Sequence, residues 1–169
     1  ASNLKSIKNI LQNKNVYFFK GSIGNKKIVE EILLKFNPQY IFNLAAETHV
    51  DNSISNPKAF IKTNIVDTHQ FIESILKYYM TLEKKKAQLF KFLQISTDEV
   101  YGDIDLDQKA VNERTAYNPS SPYSVSKATG DHLVKAYHRT FGFPGLISNC
   151  SNNYGPFQHN EKFIPTIIK

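Results

Sequence analysis

Cysteine is almost missing from this sequence: Cys150 is the only one in 169 residues. That excludes an internal disulfide framework and a cysteine-built zinc site, and it fits a reducing, cytoplasmic setting. No apolar run approaches the roughly 20 residues that a membrane-spanning helix needs, and the first residues do not read as a basic-then-apolar leader. Arginine is scarce as well, with only Arg114 and Arg139, so the formal net charge of +6 rests on lysine. Forked contacts to phosphates and base edges are made best by arginine. The lysines are scattered apart from Lys84-Lys85-Lys86, and a solvated surface explains them better than a nucleic-acid patch. Neither nucleic acid nor a membrane is expected as a partner. What remains is a globular composition, 41% hydrophobic and 21% charged with seven Gly and seven Pro, enough for one domain or part of one with its own core. The chain starts without Met and stops inside the apolar run Ile167-Ile168, so a piece of something longer is expected.

There are no repeats and no low-complexity linker. Leu4, Ile7 and Leu11 follow helical spacing and predict a short surface helix over residues 1–13. Val16-Tyr17-Phe18-Phe19 reads as a strand ending at Gly21. Ile28, Ile32, Leu33 and Phe36 mark a helix, with Pro38 just beyond it. Tyr40 to Ala46 reads as a buried strand. Pro57 opens a long helix at a position where its missing N–H costs nothing, and Ile61, Ile65, Ile72, Ile75, Leu76 and Tyr79 give that helix its inner face. Phe90 to Ser96 is a strand, followed by an irregular stretch to Ser121. Ser121-Pro122 caps and opens a helix to about Phe141, and Gly145 to Asn149 is a further strand. Strands that are nearly all apolar and alternate with helices predict an α/β fold, a doubly wound parallel sheet covered on both faces. Ligands of such sheets sit outside the carboxyl ends of the strands, which directs attention to 45–53, 96–103 and 149–153.

Tyr123 and Lys127 stand four apart on a predicted helix and share a face. An ammonium beside a phenol favours the phenolate and suits the Tyr to general-base work on an alcohol. Nine Tyr and nineteen Lys give about one such pair by chance, so the pair alone is weak. Thr97-Asp98-Glu99 closes a strand. Its two carboxyls are either solvent-facing or an acid/base pair whose environments separate their ionisation. In regular strand geometry they point to opposite faces, so convergence requires the backbone to leave the strand there. Ala45 and Ala46 leave room for a flat ligand or for tight packing. His49 by itself reads as a satisfied surface histidine. Ser151 to Pro156 is an amide-rich turn on the predicted ligand edge.

Taken together, Leu44-Ala-Ala-Glu-Thr-His-Val-Asp51, Ile95-Ser-Thr-Asp-Glu-Val-Tyr-Gly102, Pro119-Ser-Ser-Pro-Tyr-Ser-Val-Ser-Lys127 and Asn149-Cys-Ser-Asn-Asn-Tyr-Gly-Pro156 resemble the dTDP-glucose 4,6-dehydratase family. That family lies within the extended short-chain dehydrogenase/reductase group of Rossmann-like enzymes. The resemblance runs in register through nearly the whole chain. It places these 169 residues as the central part of a NAD-binding domain, without the N-terminal glycine-rich unit and the C-terminal substrate domain. Within the group the Thr-Asp-Glu element is specific: sugar-nucleotide 4-epimerases lack the acid pair, and GDP-mannose dehydratases usually carry Ser-Glu.

The resemblance implies NAD as cofactor and dTDP-glucose as substrate. It implies catalytic roles for Thr97, Asp98, Glu99, Tyr123 and Lys127. Tyr123 is the base for the sugar 4-hydroxyl. Lys127 holds the nicotinamide ribose and lowers the Tyr123 phenol. Glu99 removes the C5 hydrogen, protonated Asp98 donates to the departing C6 hydroxyl, and Thr97 bonds the C4 oxygen. Cofactor contacts are implied for Ser22, Ile23, Leu44, Ala45, Ala46, Thr48, Thr63, Tyr123, Lys127 and Asn153, and substrate contacts for Thr48, Thr97, Asn152, Lys162 and Phe163. A homodimer through helices 57–79 and 122–141 is implied too.

The sequence also departs from that pattern. Ser22 stands where an Asp usually accepts from the adenine amino group, Thr48 replaces a Ser, and Phe163 replaces a Leu. No strand–Gly-x-x-Gly-x-x-Gly–helix unit is present to receive a pyrophosphate, so the 169 residues alone are expected to bind NAD poorly and to be inactive. Other readings are an epimerase or a dehydratase for another nucleotide sugar, which Asp98-Glu99 disfavours for the epimerase, and a non-catalytic dimerisation module.

Overall fold

The computed structural model describes residues 4–105, 107–160 and 162–168. The chain divides into a small unit, Ala1–Gly21 with Asn152–Lys169, and a large one, Ser22–Ser151. In the small unit a 3₁₀ turn, Leu4–Ile7, leads into α1 (Lys8–Leu11), and α8 spans Phe163–Ile168. The strand expected at Val16–Phe19 is not formed. This run is irregular, with Tyr17 63% exposed. Apolar and aromatic residues favour a strand only where a pleated, half-buried surface receives them.

The large unit holds α2 (Lys26–Phe36), β1 (Tyr40–Asn43), α3 (Val50–Ser55), α4 (Pro57–Phe60), α5 (Thr68–Met80), α6 (Lys84–Leu89), β2 (Lys91–Thr97), α7 (Pro122–Phe141) and β3 (Gly145–Cys150). Three of these helices begin at a side-chain cap, at Asn25, His49 and Ser121. The Asn25 side chain accepts from the Ile28 N–H, and α2 ends at Asn37 in the left-handed region, φ 45°. On α7, Ser121 and Ser124 cap each other's backbone, Pro122 takes the first turn and Gly142 closes the helix at φ 66°. Two short helices, α3 and α6, were not legible from periodicity. They have only six residues each, too few to show it. The predicted long helix from Pro57 is present, but Ile61–Asp67 within it winds as a π-helix.

The three strands pair in parallel in the order β1-β2-β3, with Asn43 opposite Gln94, Ser96 opposite Asn149 and Thr97 opposite Cys150. β1 stops at Asn43, three residues short of the expected Ala46. Travel in one direction with right-handed crossovers puts the connecting helices on one face of the sheet. There Val29, Leu33, Ile72, Ile75, Leu76 and Val134 pack on Phe90, Phe92 and Phe143. Phe92 lies at the centre, its ring 5.4 Å from that of Phe143 and 6.2 Å from that of Phe71. On the opposite face of the sheet Tyr40, Phe42 and Leu146 are exposed. The outcome is the expected parallel α/β sheet with all three carboxyl ends at one edge.

Beyond β2 the chain turns sharply at Gly102, φ 79°, where a Cβ would run into the Asn118 carbonyl oxygen. Gly102→Ala is expected to cost on the order of 1–3 kcal/mol and Phe92→Ala about 3–5 kcal/mol. Urea unfolding midpoints check both, and wild-type midpoints in either variant would contradict these packing assignments.

Candidate active site

At the carboxyl edge of the sheet the end of β2 faces the first turns of α7. Thr97 is the last residue of β2, and the backbone then leaves the strand as a 3₁₀ turn, Asp98–Tyr101. The Thr97 side chain caps that turn, accepting from the Glu99 N–H at 3.3 Å, and its hydroxyl lies 3.4 Å from an Asp98 carboxyl oxygen. The turn provides the departure from strand geometry that convergence of Asp98 and Glu99 requires. Asp98 is half-buried and Glu99 exposed, so both are open to a ligand above the edge.

Tyr123 and Lys127 project from α7 toward this place, four residues apart and both nearly buried. The Tyr123 phenol is near enough to Thr97, Glu99 and Asp98 for the Thr97 hydroxyl and the two carboxylates to bear on its ionisation. The structure therefore brings Thr97, Asp98, Glu99 and Tyr123 together on one side of the sheet. Lys127 Nζ donates to the Ile95 carbonyl at 2.6 Å, which anchors the ammonium to β2. Burial pushes the Lys127 amine down, and the charges of Asp131 and Cys150 oppose that. The sequence predicts a Tyr123 phenol lowered by Lys127, but the phenol lies above its ordinary value. Burial is the largest cause, the Thr97 hydrogen bond offsets part of it, and the carboxylates of Glu99, Asp98 and Asp131 add to the rise.

The loop after β1 forms the second wall. Leu44, Ala45 and Thr48 are exposed and Ala46 half-buried, and the Ala45 N–H is held by the Asn43 side chain at 3.2 Å. His49 caps α3 through Nδ1, which accepts from the Asn52 N–H. Thr63 sits in the π-helix, its carbonyl accepting from the Thr68 hydroxyl at 3.4 Å. Ser22, ahead of α2, donates to Asp67 at 3.3 Å and accepts from the Gly24 N–H, with Ile23 half-buried beside it. Asn152, Asn153, Lys162 and Phe163 belong to the small unit. There Gln158 donates to the Asn153 carbonyl at 2.9 Å, the Lys162 carbonyl accepts from the Thr166 hydroxyl, and Phe163 is 78% exposed at the start of α8.

One buried residue, missed in the sequence, joins the walls. Asn64 Oδ1 accepts from the Glu47 N–H at 2.9 Å, while its Nδ2 donates to the Glu47 carbonyl at 3.0 Å and to Ser126 Oγ at 2.9 Å. It thus clamps the β1 loop to α7 one residue before Lys127. The π-helix places Asn64 there, and π-bulges are frequent at functional sites. Apolar spacing carries no sign of a π turn, so nothing in the sequence could have singled this Asn out. Among the described residues no group of three or more His, Cys, Asp and Glu side chains is arranged to hold a metal ion, and no helix is long and apolar enough to cross a membrane.

The family model for GDP-mannose 4,6 dehydratase matches residues 1–169. A protein of Haemophilus influenzae named dTDP-glucose 4,6-dehydratase is 46% identical over 168 residues, which are 99% of this chain and 50% of that protein. Among solved structures, the dTDP-glucose 4,6-dehydratase DesIV of Streptomyces venezuelae with NAD bound superposes with a TM-score of 0.87 at 34% identity, over 99% of this chain and 48% of that one. The dTDP-glucose 4,6-dehydratase of Bacillus anthracis in complex with NAD gives a TM-score of 0.83 at 38% identity, over 98% and 47%. The chain thus spans about half the length of the relatives it matches.

Asn64→Ala leaves the Glu47 N–H and carbonyl without their clamp, and a loss of about 1–3 kcal/mol is expected, with faster hydrogen exchange at the Glu47 amide. Unchanged exchange at that amide would show that Asn64 does not hold the loop.

Proposed function

The chain belongs to the GDP-mannose 4,6 dehydratase family, and we propose that the protein containing it is a NAD-dependent dTDP-glucose 4,6-dehydratase. The observation that carries this reading is the meeting of Thr97, Asp98 and Glu99 with the Tyr123 phenol at the strand edge. Similarity to proteins named dTDP-glucose 4,6-dehydratase, two of them with NAD bound, supports the substrate and the cofactor. These 169 residues are then the middle of a NAD-binding domain, to which other parts of the protein add the phosphate loop and the nucleotide pocket.

The residues present fit the nicotinamide end of the cofactor. The exposed Leu44–Thr48 backbone, with only methyl side chains at Ala45 and Ala46, offers a surface for a flat ring. Tyr123, Lys127 and Thr63 are proposed beside it, and Ser22 and Ile23 at the adenine end; Asn153 is proposed as a further cofactor contact from the family resemblance alone. When bound, the nicotinamide supplies a reversible acceptor for the C4 hydride. Tyr123 as phenolate takes the proton of the sugar 4-hydroxyl, while Thr97 bonds the C4 oxygen. A ketone at C4 makes the C5 hydrogen acidic, because the resulting carbanion is delocalised as an enolate. Glu99, the more exposed carboxyl, removes that hydrogen, and Asp98 in its acid form gives a proton to the C6 hydroxyl, which leaves as water. With the C4 hydride given back at C6 and a proton at C5, the product would be a 4-keto-6-deoxy sugar with no net redox change. Thr48, Asn152, Lys162 and Phe163 are proposed as substrate contacts.

Only the phenolate accepts the proton, so the rate of oxidation, followed against pH, is expected to rise on its acid limb as Tyr123 ionises, and a rate without that rise would remove Tyr123 from the base role.

A homodimer through helices 57–79 and 122–141 is proposed as well. Ile61 and Val125 are 52% and 46% exposed, and with Pro57, Ile65, Pro119 and Pro122 they line one apolar groove between these helices. The single free thiol, Cys150, suits a reducing cytoplasm.

The test is product analysis on the full-length protein. With dTDP-glucose and no added reductant a 4-keto-6-deoxy product is expected, and its absence from protein shown to hold NAD would refute the reading. Tyr123→Phe is expected to lower kcat by roughly 10²–10⁴-fold. Asp98→Asn should allow oxidation but not loss of water, and full-rate dehydration by that variant would remove Asp98 from the acid role.

A further inference from the structure

Asp131 lies on α7 one turn beyond Lys127 and two beyond Tyr123, and it is fully buried. Its Oδ2 accepts from Ser96 Oγ at 2.6 Å, from the Tyr117 hydroxyl at 3.1 Å and from Asn149 Nδ2 at 3.4 Å. These donors come from three different places: the end of β2, the loop before α7 and the end of β3. Asn149 Nδ2 also reaches the Thr97 carbonyl at 3.3 Å and the Tyr117 hydroxyl at 3.3 Å. A single carboxylate oxygen thereby ties the helix that bears Tyr123 and Lys127 to the backbone from which Asp98 and Glu99 hang. The other oxygen, Oδ1, is buried and has no hydrogen-bond partner among the described residues. Nothing in the dehydration steps uses this group, and a buried carboxyl with one oxygen unbonded is costly unless it has a task.

We propose that Asp131 is a positioning residue for the reaction: its carboxyl group holds Thr97–Glu99 and Tyr123 in mutual register and stands one helical turn from Lys127 as the acidic partner of that buried amine. The inference rests on the dehydratase reading for its kinetic readout only. Lys127 is buried, and an ammonium taken out of water needs a counter-charge. Asp131 is the largest influence opposing the burial of Lys127, followed by Cys150 on β3. From the other side, burial pushes the Asp131 carboxyl above its ordinary value, and the hydroxyls of Ser96 and Tyr117 and the ammonium groups of Lys127 and Lys135 work against that rise. Tyr117 stays a neutral donor, its phenol pushed up to about 12 chiefly by burial. Tyr101 packs edge-on against Tyr117, and Lys135 lies over the Tyr117 ring at 4.3 Å. Tyr123 feels Asp131 as well, together with the nearer-acting Glu99 and Asp98.

The sign of the effect follows. Removing the Asp131 charge lets burial take Lys127 further down, so the ammonium is lost at a lower pH, and the alkaline limb of the rate profile moves down with it. A merely structural role would lower the rate equally at every pH. The experiment is the pH dependence of kcat for 4-keto-6-deoxy sugar formation in the full-length protein, wild type beside three variants. Asp131→Asn and the smaller Asp131→Ser, both neutral, are expected to shift the alkaline limb down by roughly one pH unit or more. Asp131→Glu keeps the charge and should keep the limb, at a reduced kcat because the register is disturbed. The nitrogen NMR shift of the Lys127 amine titrates whether or not this sugar is turned over. It reads the same displacement, so a failure of the dehydratase reading is separable from a failure of this one. An unmoved Lys127 titration in either folded neutral variant overturns the proposal. So does a failure of both neutral variants to fold while Asp131→Glu folds, which would make the role purely structural.

Discussion

A buried ammonium has to be held by something, and the site is organised around how Lys127 is held. Its Nζ is fastened to the Ile95 carbonyl, a main-chain group of the central strand, so the helix that carries it cannot slide along the sheet without losing that bond. Tyr123 lies one turn earlier on α7 and is fixed by the same anchor. Register between helix and strand is therefore set by a charge-assisted hydrogen bond in a dry place, where such bonds are strongest. Thr97 is two residues beyond Ile95, close enough for its hydroxyl to bear on the ionisation of the Tyr123 phenol. The acid pair is delivered by the turn that Thr97 caps.

The surrounding polar groups repeat this logic. Asn64 binds the loop after β1 to Ser126, while Asp131 binds Ser96, Tyr117 and Asn149. The neighbours of Lys127 on either side are thus each tied to a different strand end. Asn64, Ser96, Ser126 and Asp131 are buried, and Tyr117 and Asn149 are half-buried. In such a place a satisfied network rigidifies, and a broken one is expensive. The hydrophobic core lies farther along the same helices, at Ile72, Ile75 and Val134 against Phe92 and Phe143. It gives the platform, and the polar tethers give the alignment.

Much of this was legible in the residues. The three parallel strands and the two capped helices, at Lys26–Phe36 and Pro122–Phe141, announced themselves through apolar runs, Asn25 and Ser121-Pro122. Four-residue spacing put Tyr123 and Lys127 on one face, and the same spacing extends to Asp131, which could have been found by continuing the count. Other features could not be read. Val16–Phe19 has the composition of a strand, but composition does not say whether a neighbour will receive it. A π-helix obeys no apolar period, so the inward turn of Asn64 had no signature. The direction of the Tyr123 shift depends on how burial and three carboxylates weigh against a lysine whose ammonium turns to a carbonyl, a matter of geometry that spacing does not contain.

The account stands or falls on one sugar ring being worked on from both sides, by Tyr123 at C4 and by Asp98 and Glu99 at C5 and C6. Deuterium placed on C4 of dTDP-glucose tests this most directly in the full-length protein. The account predicts that the label reappears on C6 of the 4-keto-6-deoxy product, while C5 acquires hydrogen from solvent. A 4-keto-6-deoxy product whose C6 carries solvent hydrogen in place of the label would contradict it.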